Sequence, residues 1–115
     1  VMDAEGHATS GAEQRIFSRA TADAVLRMLE DTVDGDGTGK RARIPGLHVA
    51  GKTGTAQTGQ FSGGTELKNY WFAGFVPAEQ PRYTIVVLQD TQAEPAFSSA
   101  AIFARVAAGL EILAP

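Results

Sequence analysis

Four neighbouring residues, Lys52, Thr53, Gly54 and Thr55, carry the densest chemistry in this chain of 115 residues. An ammonium, two hydroxyls and backbone N–H groups stripped of bulk by Gly51 and Gly54 fall within one short stretch. Donors and positive charge gathered this way suit a carboxylate, or an oxyanion developing in acyl transfer. The glycines also let a ligand or another extended chain lie close against the backbone beside Lys52. The apolar run from Leu47 to Ala50, with small and β-branched residues after it, reads as an extended strand.

Gly46-Leu47-His48-Val49-Ala50-Gly51-Lys52-Thr53 also satisfies the phosphate-loop pattern G-x-x-x-x-G-K-S/T. That pattern needs a strand before it, a flexible loop inside it and a helix after it. Here Pro45 precedes it, the apolar run fills it, and Gln57-Thr58-Gly59-Gln60-Phe61-Ser62-Gly63-Gly64 follows, which cannot open a helix. The context test fails for nucleotide binding. A calcium loop starting at Asp34, with Asp36 and Thr38 at its third and fifth positions, fails differently. Its twelfth position is Pro45 rather than a bidentate Glu, so the stretch reads as a flexible turn. His7 has no partner His or Cys at metal spacing and reads as a solvated loop residue. No metal and no cofactor is expected.

Lys-Thr-Gly is the third motif of the penicillin-recognising serine enzymes. Gly51-Lys52-Thr53-Gly54-Thr55-Ala56-Gln57 resembles the corresponding segment of class B penicillin-binding proteins, the D,D-transpeptidases. Gly37-Thr38-Gly39-Lys40-Arg41-Ala42-Arg43-Ile44-Pro45-Gly46 resembles the lead-in to that segment. Trp71-Phe72-Ala73-Gly74-Phe75-Val76-Pro77 and Tyr83-Thr84-Ile85-Val86-Val87-Leu88 resemble the next two strands. The likeness runs from about Ser18 to near the C-terminus. It implies that residues 1–115 are the C-terminal portion of a transpeptidase domain, which cross-links peptidoglycan stem peptides ending in D-Ala-D-Ala and is acylated by β-lactams. By the same resemblance, Lys52 hydrogen-bonds a serine of the family's second motif and attracts the substrate carboxylate. Thr53 and Thr55 offer hydroxyls to that carboxylate, Gly54 keeps the site open, and the Thr55 N–H helps form the oxyanion hole. The resemblance further implies no cofactor and an extracytoplasmic location, tethered by a membrane helix upstream of Val1.

Acyl transfer also needs a nucleophile and a proton acceptor, which the family draws from Ser-x-x-Lys and Ser-x-Asn. Ser10, Ser18, Ser62, Ser98 and Ser99 are followed three residues later by Glu13, Thr21, Thr65, Ala101 and Ile102. None fits, and no serine has Asn two residues on. The expectation is a chain inactive alone, completed by the upstream part of the same domain. Two alternatives share the motif: a serine β-lactamase and a non-catalytic penicillin-sensing domain.

These residues must be positioned by the rest of the chain, which is globular in composition, with 43% hydrophobic and 20% charged residues. A net charge of −3 gives no case for nucleic acid, and the absence of cysteine removes disulfide and thiolate chemistry. A start at Val1 rather than Met points to a piece of a longer protein. Ser18 is placed to cap a helix running to about Val33, with Ala22, Val25, Leu26, Leu29 and Val33 as its buried stripe. Lys40-Arg41-Ala42-Arg43 reads either as solvated surface or as a rim charge drawing an anion toward the site. His48 is expected to be partly exposed in the motif strand. A long Gly-rich, polar loop is expected from Gln57 to Asn69, then a strand from about Tyr70 to Val76. Its aromatics, Trp71, Phe72 and Phe75, are assigned to the core. Tyr83 to Gln89 is nearly continuous apolar sequence, as in a strand buried on both faces. Ile102, Phe103, Val106, Leu110 and Leu113 mark a second helical stripe. The predicted fold is α+β: a helix, three antiparallel strands, and a C-terminal helix packed on the sheet.

Overall fold

Ser18 opens the first helix as its sequence predicts. Its extended backbone (φ −67°, ψ 157°) lets the side-chain oxygen accept from the Thr21 N–H at 3.1 Å. The computed structural model describes residues 2–8 and 10–113. Helix α1 spans Arg19–Asp34, and a 3₁₀ turn follows at Lys40–Ala42. Strands β1 (Ala50–Ser62), β2 (Thr65–Val76) and β3 (Tyr83–Gln92) form an antiparallel sheet in that order. Helix α2, Ser99–Leu113, closes the arrangement. The predicted order of elements and the α+β class are both observed.

The sheet has one covered face and one open face. Register pairs Thr53 with Phe72 and Phe72 with Val87, so these share a side. On that side Phe72 and Val76 join Val33 of α1, Ala42 and Val49 of the connection, and Ala100, Phe103 and Ala107 of α2 in one core. The Phe72 and Phe103 rings meet with centroids 4.8 Å apart, inclined by 57°. They sit over Gly51 and Gly74, which lie opposite each other in the β1–β2 register. A Cβ on Gly51 would come within 2.5 Å of the Phe72 ring, and one on Gly74 within 2.7 Å of the Ala50 carbonyl oxygen. Gly51 therefore serves the core, not a ligand.

Several expectations are corrected. The segment from Gln57 to Asn69 is not a loop. β1 and β2 continue through it as a two-stranded ribbon and reverse at Gly63 and Gly64 (φ 57° and 81°). Positive φ at both central residues is the signature of a tight hairpin turn that Gly-Gly accommodates freely. The ribbon is bulged between Gln57 and Gln60, where Gly59 has φ 72°. Thr58 donates to the Leu67 carbonyl, and Gln57 bonds Glu66 at 3.0 Å. Much of the ribbon is solvated, so its sequence lacks the alternation that betrays a half-buried strand.

β3 is covered on one face only. Ile85 and Val87 point to the core, while Val86 and Leu88 are 57% and 43% exposed, and Trp71 beside them is 38% exposed. Of the three aromatics assigned to the core, Phe72 is buried, Phe75 is half-buried and Trp71 lies on the open face. The α1 stripe is also less covered than its spacing implies. Val33 alone is buried and Val25 is 44% exposed, because the core contact of α1 is made at its C-terminal end. In α2 the buried line is Ser99, Ala100, Phe103 and Ala107 rather than the bulkier Ile102, Val106, Leu110 and Leu113. Only small residues beside Phe103 allow the helix to approach the sheet closely. His48 is exposed and precedes β1, which begins at Ala50.

Candidate functional site

β1 stands at an edge of the sheet, so one side of its backbone has no strand partner. In an antiparallel strand, successive residues direct their backbone groups alternately toward and away from the neighbour. The Gly51 carbonyl accepts from Thr32 Oγ1 of α1, and the Thr53 carbonyl accepts from Lys52 Nζ at 2.9 Å. Both belong to the side away from β2. By the same alternation the Thr55 N–H points to this open edge. Thr55 itself is exposed.

Side chains divide between the two faces. Lys52 lies opposite Ala73 on the open face, while Thr53 and Thr55 lie opposite Phe72 and Tyr70 on the helix-covered one. Strict alternation predicts this separation, which would pull a shared site apart. The long lysine stem resolves it. Nζ turns back across the edge to Thr53 O and, at 3.4 Å, to Thr53 Oγ1. The ammonium and both threonines are thus gathered around one strand edge. Gly54 leaves room there, since a Cβ at its position would meet only Trp71 Cβ, at 3.6 Å.

The end of α1 holds the wall facing this edge. Arg43 Nε donates to the Val33 carbonyl at 2.7 Å, and its terminal nitrogen bonds the carbonyls of Asp34 and Gly35. A guanidinium on otherwise orphaned helix-end carbonyls acts as a C-terminal cap. The Gly39 N–H returns to Thr32 O at 2.9 Å, and Thr53 Oγ1 donates to Thr38 Oγ1 at 3.1 Å. On the other side the start of α2 is pinned to the sheet. Ser99 Oγ donates to Tyr70 O at 2.8 Å and accepts from Gln89 Nε2 at 3.0 Å. Between these walls lies an open cavity of about 300 Å³ lined by Thr53, Gly54 and Thr55, together with Thr38, Arg41 and Tyr70.

The structure therefore brings together all four residues singled out in the sequence. It also adds Thr38 and Arg41, which the sequence reading left in a turn and in an undivided basic cluster. Their ordering in the chain, next to glycines and just ahead of the motif, was the only available signal. Among the described residues, no group of His, Cys, Asp or Glu could hold a metal ion. The site offers positive charge, hydroxyl donors and a free N–H, an arrangement suited to an anion or a polarised carbonyl.

Comparison with known proteins places this geometry in a family. Residues 7–108 match the model of the penicillin binding protein transpeptidase domain. Over 85 residues the chain is 41% identical to a peptidoglycan D,D-transpeptidase FtsI homolog of Nephroselmis olivacea, covering 71% of this chain and 12% of the relative. It is 38% identical over 110 residues to penicillin-binding protein PbpB of Mycobacterium tuberculosis, covering 84% of this chain and 16% of the relative. The chain thus spans less than a fifth of the length of either. Its structure superimposes on the transpeptidase domain of the FtsI4 D,D-transpeptidase from Legionella pneumophila with a TM-score of 0.68 and 35% identity. That match covers 81% of this chain and 36% of the other. The shared fold and the extent of the sequence match lead to one assignment: this chain belongs to the penicillin binding protein transpeptidase domain family.

Proposed function

We propose that this chain is the C-terminal, substrate-binding portion of a peptidoglycan D,D-transpeptidase domain acting outside the cytoplasm. The observation that carries the reading is the open edge of β1, where the Lys52 ammonium, the Thr53 and Thr55 hydroxyls and the Thr55 N–H converge beside a cavity. An upstream part of the same domain supplies the serine nucleophile and its base. It also covers the open apolar face around Trp71, Val86 and Leu88.

The chemistry is acyl transfer. The serine oxygen attacks the carbonyl between the two D-alanines of a stem peptide, and the terminal D-alanine leaves with the proton. The amine of a second stem peptide then takes the acyl group and releases the serine. Lys52 and the two threonines hold the terminal carboxylate, while the Thr55 N–H stabilises the oxyanion as the carbonyl becomes tetrahedral. In a β-lactam the ring amide opens instead, so the leaving amine stays tethered and the acyl-enzyme persists. Among the described residues no helix is long and apolar enough to cross a membrane, so the reading places any membrane anchor upstream.

The test is labelling of the full-length protein with a fluorescent penicillin, followed by mass spectrometry. A one-to-one adduct that persists for many minutes is expected. Rapid turnover of the penicillin would make the protein a β-lactamase, and no adduct at all would overturn the reading.

A further inference from the structure

Lys40, Arg41 and Arg43 are adjacent in sequence but take different positions. Arg43 is fully engaged in capping α1. Arg41 projects from the 3₁₀ turn into the lining of the cavity beside Thr53 and Thr55. It has no hydrogen bond or ion pair among the described residues, and its side chain is exposed. It is also the sole charged residue lining that cavity, which includes no acid. The Lys52 ammonium, by contrast, is already bonded to Thr53. An unpaired planar guanidinium facing two hydroxyls across a solvent-filled gap has the geometry that grips a carboxylate through two parallel N–H bonds.

We infer that Arg41 is a specificity residue, which requires a free carboxylate on the ligand and binds it jointly with Thr53 and Thr55. The inference rests on the transpeptidase reading and extends it. Lys52 then supplies charge at the reacting end of the site, and Arg41 reads the far oxygens of the carboxylate. An ester or amide in that position presents no negative charge and cannot accept the paired bonds, so it forfeits the contribution of Arg41.

The experiment compares acylation of the full-length protein by a penicillin and by its methyl ester, with Arg41→Ala and Arg41→Lys as variants. Arg41→Ala should slow acylation by the free acid about ten- to a hundredfold, the range for a hydrogen bond to a charged group. Acylation by the methyl ester should change by no more than about twofold, as for an ordinary surface substitution. Arg41→Lys should fall between, keeping the charge but not the fork. Thermal melting should not move, because Arg41 makes no contact that holds the fold. Equal losses on acid and ester would mean that Arg41 only shapes the wall. No loss on either would make it solvated surface, and both results overturn this inference alone. A wild-type protein that neither penicillin nor its ester acylates would overturn the transpeptidase reading and this inference with it.

Discussion

Lys52 and Thr55 hold the two ends of the candidate chemistry, and they can be tested separately. In the full-length protein, Lys52→Ala should slow acylation by a penicillin severely without moving the melting temperature, since Lys52 is exposed and contributes nothing to the core. Lys52→Arg should recover part of the rate, because a planar fork cannot follow the turn that brings Nζ to the Thr53 carbonyl. Thr55 has two functions to separate. Thr55→Ala removes a hydroxyl bound to a charged ligand and should cost about 1.5–3 kcal/mol in acylation. Replacing the amide at position 55 by an ester removes the N–H at the open edge and keeps the side chain. If that N–H lines the oxyanion hole, the rate should fall about a hundredfold or more. Single-turnover kinetics of the two variants decides the matter, and equal rates would move the oxyanion donor elsewhere.

At the scale of elements, the site depends on how α1 ends. Arg43→Ala should lower stability by about 1–2 kcal/mol in a denaturant titration, because three helix-end carbonyls lose their donor. Arg43→Lys should restore little, since one ammonium cannot span all three. The start of α1 was legible in the sequence: Ser18 bonds a backbone N–H only three residues away, so the signal is local. Its end was not, because Arg43 acts across eight to ten residues and its direction depends on the 3₁₀ turn before it. The same turn sends Arg41 to the cavity, and nothing in the string Lys40-Arg41-Ala42-Arg43 distinguishes the two arginines. The motif strand was legible because small residues, a lysine and threonines form a pattern that few other structures use. The ribbon beyond it was hidden by its own solvation, although Gly63-Gly64 was a valid turn signal. β3 was misread as buried on both faces because an apolar run does not say how many faces are covered, and Val86 and Leu88 lie on the open one.

For the whole molecule, the open sheet face is the dominant feature. Val86, Leu88 and Trp71 form an apolar patch on a sheet whose β1 and β3 edges are also unpaired. Such a surface calls for a cover, and natural proteins rarely leave unpaired edges beside exposed apolar rows. The isolated 115-residue chain should therefore bind a hydrophobic dye strongly and form no adduct with a labelled penicillin, having no Ser-x-x-Lys. Supplying the upstream part of the domain should quench the dye signal and restore labelling together. Labelling of the isolated chain, seen by intact mass, would show that the nucleophile lies within it.

The hollow formed by Gly51 and Gly74 has a consequence for how the motif can vary. A side chain at Gly51 would drive into the Phe72 ring and the Ala73 carbonyl, so the position next to Lys52 is closed even to alanine. Gly54, three residues on, has space for a methyl group. In a saturation library across the strand, tolerated changes should thus collect at the outward positions and almost vanish at 51. Any lineage adapting this protein to a new ligand has a narrow corridor: the edge and the wall can change, while the floor beneath them cannot.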